Sequence, residues 1–132
     1  VNGIEVIDDS YNANPTSMMA SLQTQLDRGS SGKNVAVIGE MLELGDESVQ
    51  KHKEILQVLK KFDRVFLVGD VFSTLIAEHD KKSFSVYSTA DKDLARDIRN
   101  EANEGDTILV KGSNKIFWRH NFVAELCKRL EV

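Results

Sequence analysis

The sequence predicts an α/β fold: a doubly wound, mostly parallel sheet with helices on both faces (Rossmann-like), in a single domain. Three observations predict it. Short β-rich runs alternate with longer helical patterns along the chain. Three of those runs, Val-Ala-Val-Ile, Val-Phe-Leu-Val and Ile-Leu-Val, are continuously apolar, as central strands covered on both faces are. Finally, 132 residues with 41% hydrophobic content supply one real core and leave no room for a second full domain.

The elements follow in order. Strands are expected over residues 4–7, 35–38, 65–68, 84–87 and 108–110, with the second, third and fifth central in the sheet. Asn14 before Pro15 is a capping residue followed by proline at the first helical position. Met18, Leu22 and Leu26 then recur four apart until Gly29 closes the first helix. A second helix is expected from Asp46, with Glu47 in its first turn and Val49, Ile55, Leu56, Leu59 and Phe62 on one stripe. Further helices follow Asp70, expected to cap its helix, and Asp91. The last carries Phe122, Val123, Leu126, Cys127 and Leu130.

Composition narrows the function. The 17 Lys+Arg against 21 Asp+Glu give a net charge of -4, which argues against a nucleic-acid binder or a polybasic membrane module. Any phosphate must then be met locally. The single cysteine, Cys127, excludes an internal disulfide and a cysteine-based zinc site and suits a reducing compartment; it is expected in the core. No export signal and no apolar run long enough to span a membrane is present, so neither export nor a membrane partner is expected. A chain that begins with Val1 almost inside a strand reads as a piece of a longer one.

In doubly wound sheets ligands sit outside the carboxyl ends of the strands. Four of those ends are polar: Asp8-Asp9-Ser10-Tyr11-Asn12, Gly39-Glu40-Met41, Gly69-Asp70 and Lys111-Gly112-Ser113. The glycines around Ser30, Ser31 and Lys33 do not form a nucleotide loop, because the spacing is too short, Asn34 follows the lysine and a strand comes next. The stretch from Asp8 to Pro15 is the densest polar signal. A strand-to-helix turn needs one polar cap, whereas six of these eight residues are polar and two are adjacent carboxylates. One carboxylate suits a sugar diol; the other suits water or a metal.

The segment Gly39-Glu40-Met41-Leu42-Glu43-Leu44-Gly45 is apolar for a loop and reads as a cover for a strand end. His52 falls on the apolar stripe and reads as a satisfied, partly buried histidine; His120 carries no signal of its own. No residues have the spacing of a closed metal-ligand set, so no metal site is expected. One functional reading is a receiver-type phosphoacceptor built on Asp8/Asp9, Asp70, Ser88/Thr89 and Lys111. The step from Asp70 to Thr89 is too short for it, and it leaves SYNANP and GEMLELG unexplained.

DDSYNANPTSMMASL, GEMLELGDES with His52 after it, and ILVKGS together resemble the carboxy-terminal domain of the Mur ligases, over almost the whole chain. The resemblance implies that residues 1–132 are that domain of a longer cytoplasmic enzyme, an ATP-dependent amide-bond ligase of peptidoglycan synthesis. Its SYNANP branch joins D-alanyl-D-alanine to UDP-N-acetylmuramoyl-tripeptide. It implies ATP and Mg2+ held mainly by a central domain absent from this chain, and amino-terminal and central domains as partners. The domain alone would be inactive, with no catalytic residue of its own. By resemblance, Asp9 binds the ATP ribose with Asn12 beside the nucleotide, while Lys111 and Ser113 face the dipeptide. The family usually continues after KGS with Arg and then Met-Glu, whereas Asn114, Lys115, Ile116, Phe117, Trp118 and Arg119 stand here. The loop lining the dipeptide site is therefore altered, and a Mur ligase with another amino-acid substrate is the alternative.

Overall fold

The computed structural model describes residues 2–11, 13–76 and 83–131. Five strands, β1 (Glu5–Asp9), β2 (Asn34–Gly39), β3 (Arg64–Val68), β4 (Phe84–Tyr87) and β5 (Thr107–Lys111), pair in the order β1-β5-β2-β3-β4. Every pairing is parallel. The three apolar runs are the three inner strands, because only an inner strand has both faces and both edges covered. The first strand extends two residues beyond its apolar run, since Asp8 and Asp9 stay in register with Val110 and Lys111.

The helices are α1 (Pro15–Arg28), α2 (Ser48–Leu59), α3 (Asp70–Leu75), α4 (Lys92–Glu101), α5 (Asn114–Phe117) and α6 (Phe122–Leu130). Alternate residues of each strand feed two separate cores, following the pleat. Ala36, Ile38, Leu67 and Leu109 pack with Met18, Leu22, Leu59 and Phe72 of the first three helices. Val37, Phe66, Ile108 and Val110 pack on the other face with Leu94, Ile98, Phe117 and Leu126. The sheet is thus a middle layer between two sets of helices.

Three local expectations are corrected. The helix expected from Asp46 opens as a tight turn over Gly45–Glu47 and becomes α-helical only at Ser48. Glu43 at φ 63° and Gly45 at φ 57° hold the chain in the left-handed region, so no helix ladder can run through them. Val49 is consequently 51% exposed, and Phe62 is buried from the turn beyond the helix. Asp70 does not cap α3, whose cap is Gly69 at φ 127° with no side-chain bond. The Val71 N–H is instead met by Glu40 Oε2 at 3.1 Å. Cys127, expected in the core, lies half-buried on α6, and burial pushes its thiol pKa up.

The amino ends of the strands are closed by backbone. Gly32 N–H donates to Gly105 C=O at 2.7 Å, and any side chain at Gly32 would meet Asp106. The stretch before β2 is therefore a helix-to-strand turn. Polar side chains serve this end too, Asp106 accepting from Lys33 N–H at 2.8 Å and Asp63 from Asn34 N–H at 2.7 Å, and others line the opposite, carboxyl edge.

At that edge Asn14 caps α1. Its Oδ1 accepts from Ser17 N–H at 2.9 Å, and Ser17 Oγ accepts from Asn14 N–H at 3.1 Å. Asn14→Ala is expected to destabilise the domain by about 1 kcal/mol, with Asn14→Ser close to neutral. Urea unfolding of both variants checks this through a shift of midpoint at constant slope.

Candidate functional site

The β1–β5 pairing places Asp9 opposite Lys111, at the last rung of the ladder. Both point to the α1 side, two residues on from Ile7 and Leu109, which pack into that core. Lys111 Nζ lies 3.2 Å from Asp9 Oδ2, with the lysine side chain 3% exposed and the aspartate 41%. Ser21 Oγ, from α1, donates to the same Oδ2 at 2.7 Å. A buried ammonium is costly without an anion beside it. Asp9 supplies one and still presents an open oxygen edge. Asp8, on the opposite face, accepts from the Ser10 N–H and hydroxyl.

The sequence reading assigns Asp9 and Lys111 to different ligands, yet the structure joins them in one ion pair. Ser113 is two residues further on, and its Oγ accepts from Lys115 N–H at 3.1 Å as the cap of α5. Its hydroxyl proton remains to donate. Asn12 lies outside the described residues. Tyr11, 67% exposed, and Trp118, 52% exposed, face each other with ring centroids 5.5 Å apart, and the Asn114 N–H donates to the Tyr11 carbonyl at 3.1 Å. That aromatic pair went unread in the sequence, since nothing local couples a residue after β1 to one after β5.

The GEMLELG segment runs along the ends of β2 and β3. Glu40 N–H donates to Val68 C=O at 2.8 Å, Met41 is buried, and Leu42 and Leu44 are half-buried. His52 anchors it. This side chain is fully buried rather than partly so: Nε2 accepts from Met41 N–H at 2.9 Å, and Nδ1 is 2.6 Å from Ser48 C=O. A carbonyl only accepts and an amide only donates, so the partners fix the neutral tautomer with the proton on Nδ1. Phe72 meets the ring edge-on at 5.1 Å.

A second crevice opens over β3 and β4. Glu40, Val68, Gly69, Ser88, Thr89, Ala90, Lys115, Ile116, Arg119 and His120 enclose a cavity of about 130 Å³. At its rim Asp91 caps α4, and its carboxyl is held below the ordinary value first by the Asp93 N–H and then by the Thr89 hydroxyl.

The acidic residues do not converge. Asp9 and Asp70 follow β1 and β3, which have β5 and β2 between them, a separation of about 14 Å at normal strand spacing. A phosphoacceptor site needs such carboxylates on one ion. Among the described residues no group of three or more His, Cys, Asp and Glu could hold a metal, so these residues do not fit a Mg2+ site. Asp9 sits beside the loop leading to α1, with Oδ2 engaged by Lys111 and Ser21 and the side chain 41% exposed. No helix among the described residues is long and apolar enough to cross a membrane.

Fold and site together define a doubly wound α/β module that carries, at one sheet edge, a carboxylate–lysine pair and a crevice rimmed by Lys115, Arg119 and His120. A family model described as Mur ligase, glutamate ligase domain, matches residues 1–114, and the chain belongs to that family. It is 41% identical over 118 residues to the UDP-N-acetylmuramoyl-tripeptide--D-alanyl-D-alanine ligase of Bacillus subtilis, covering 85% of this chain and 26% of the relative. The enzyme of that name from Mycobacterium tuberculosis is 33% identical over 136 residues, covering 86% and 27%. Among solved structures, the MurF ligase of Thermotoga maritima in complex with ADP superposes with a TM-score of 0.77 at 28% identity, covering 98% of this chain and 29% of that one. MurF from Acinetobacter baumannii gives 0.78 at 28% identity, covering 97% and 29%. The chain thus spans about a quarter of the length of the curated relatives it matches.

Two outcomes follow from the geometry. A double-mutant cycle of Asp9→Asn and Lys111→Met, read by denaturant unfolding, is expected to give a coupling of about 1 kcal/mol; the half-exposed aspartate keeps it below a fully buried pair. Additive single effects would show that the pair carries no energy. His52→Phe preserves volume but strands the buried Met41 N–H, so a loss of about 1–3 kcal/mol is expected. Faster amide exchange at Met41 would accompany it.

Proposed function

We propose that the chain is the carboxy-terminal domain, residues 1–132, of a longer cytoplasmic ligase of peptidoglycan synthesis that uses ATP to join D-alanyl-D-alanine to UDP-N-acetylmuramoyl-tripeptide. The observation that carries this reading is the 41% identity to a curated ligase of that name. Similarity to a MurF ligase solved with ADP supports the nucleotide. In this reading the γ-phosphoryl group of ATP passes to a carboxylate oxygen of the tripeptide, releasing ADP. The dipeptide amine then attacks the acyl carbon, the amide C–N bond forms, and inorganic phosphate leaves with the carboxylate oxygen while the amine loses its proton.

The domain's own residues position and screen rather than transfer. Asp9 accepts hydrogen bonds from the ribose diol, with Asn12 beside the nucleotide. Lys111, held by Asp9, turns positive charge toward the dipeptide side, where the Ser113 hydroxyl donates. Amino-terminal and central domains of the same polypeptide complete the site, and ATP phosphates with Mg2+ fall to the central domain. Preorganised phosphate donors supply most of phosphoryl-transfer catalysis.

The test compares this domain with the full-length ligase. The domain is expected to show no ATP turnover and no submicromolar ATP affinity by calorimetry with Mg2+. In the full-length enzyme, Asp9→Ala is expected to raise the KM for ATP roughly ten- to a hundredfold, the worth of a charge-assisted hydrogen bond. Because Asp9 also holds Lys111, a smaller rise for the dipeptide accompanies it. Lys111→Ala is expected to act chiefly on the dipeptide. Turnover by the isolated domain, or D-alanyl-D-alanine failing as acceptor, would overturn the reading.

A further inference from the structure

Met18, Ser21, Leu22 and Gln25 follow one another at helical spacing along the inner stripe of α1. Met18 and Leu22 are fully buried in the core, and the two polar members of the stripe are both engaged. Gln25 Nε2 donates to Gly29 C=O and to Asn34 Oδ1, each at 3.1 Å, which ties the end of α1 to the start of β2. Ser21 Oγ donates instead to Asp9 Oδ2 at 2.7 Å, a bond that closes neither a helix end nor a strand. Serine is a poorer helix former than alanine, so the helix itself gains nothing from it.

We propose that Ser21 is a positioning residue for the nucleotide, acting through Asp9 by fixing the plane of the carboxylate that meets the ribose diol; the inference rests on the ribose role of Asp9 in the reading above. Asp9 Oδ2 is gripped twice, by Ser21 from α1 and by Lys111 Nζ from β5 at 3.2 Å. The last torsion of an aspartate is broad, so a carboxylate held by one donor still turns about its final bond. Two donors from two different elements stop that turn. Both grips fall on the same oxygen, which leaves Oδ1 to the ligand at a fixed bearing. A ribose diol offers two O–H donors, and one carboxylate oxygen has the lone pairs to accept both.

The two grips differ in purpose. Lys111 is charged and its side chain is 3% exposed, so its contact with Asp9 balances a buried ammonium whatever ligand is bound. Ser21 is neutral, and a serine hydroxyl in a helix is equally able to bond a carbonyl one turn back. Its bond to Asp9 therefore serves the carboxylate rather than the serine. Packing sets its place, with buried Met18 one turn before, buried Leu22 beside it, and the Asn14 cap fixing where the helix starts. α1 is thus the frame against which Asp9 is aimed. Removing the hydroxyl leaves the fold and the Lys111 pair in place and frees the carboxylate to rotate.

The experiment uses the full-length ligase with two nucleotides, ATP and the dideoxy analogue that lacks both ribose hydroxyls, and varies D-alanyl-D-alanine separately. The wild type is expected to prefer ATP. Ser21→Ala is expected to raise the KM for ATP about three- to tenfold, less than Asp9→Ala does. The same variant is expected to leave kcat, the KM for the dipeptide and the KM for the dideoxy analogue unchanged. Ser21→Thr, which keeps a hydroxyl on the same carbon, is expected to restore the preference. The double variant Asp9→Ala/Ser21→Ala is expected to match Asp9→Ala alone, because Ser21 reaches the nucleotide only through the carboxylate. A preference for ATP that Ser21→Ala leaves intact, or losses that add in the double variant, would overturn the inference and leave the ligase reading standing. A wild type that uses the two nucleotides equally would overturn the ribose role of Asp9 and the inference with it.

Discussion

The pairing of β1 with β5 is the constraint on which the rest of the functional edge depends. It brings the chain's first and last strands side by side and sets Asp9 against Lys111 at their ends. The same pairing carries the segment after β5 back across the sheet, where Tyr11 and Asn114 exchange a backbone bond and Trp118 meets the Tyr11 ring. Without it, Lys111 would lose the Asp9 carboxylate beside its ammonium. A parallel neighbour so distant in sequence is expensive to close. The burial of the apolar run of β5, between β1 and β2, offsets that entropy.

A second device controls the middle of the edge. Once Glu43 and Gly45 have broken the helix, the GEMLELG segment has no regular structure to hold it. Its shape comes from outside: His52 takes the Met41 N–H, and Val68 takes that of Glu40. Glu40 in turn caps α3 in place of Asp70 and sits where any side chain on Gly69 would be. The middle of the edge is therefore built from one loop fastened at three points. The histidine is structural in the strict sense that both ring nitrogens are committed to backbone.

This division explains what was legible in the sequence. Periodicity and apolar runs depend on burial, and burial is what separates β2, β3 and β5 from the edge strands, so class, the identity of the central strands and the first helix could be read directly, whereas their order could not. The carboxyl-edge location followed from the fold. The pairing of Asp9 with Lys111 did not, because each was read with a different ligand and only register reveals them as neighbours. Asp70 looked like a cap by local rules, and a side chain from another strand took the role. His120 and Arg119 carry no local pattern at all; they acquire meaning only when α5 folds over the ends of β3 and β4.

The segment from Asn114 to Arg119 is where the chain departs from the usual continuation of its family, and the structure shows what kind of departure the fold tolerates. Phe117 is buried and packs on Phe122 at 5.5 Å, so the short helix is anchored by its apolar side. Lys115, Trp118 and Arg119 are exposed, with Asn114 and Ile116 half-buried. Replacing them alters charge and aromatic surface at the edge without touching the core beneath. The residue that fixes the fold, Phe117, and the exposed Lys115 sit within the single turn of α5, with Trp118 and Arg119 directly after it. The Ser113 cap and the Phe117 anchor hold the backbone of this turn in place whatever side chains the exposed positions carry.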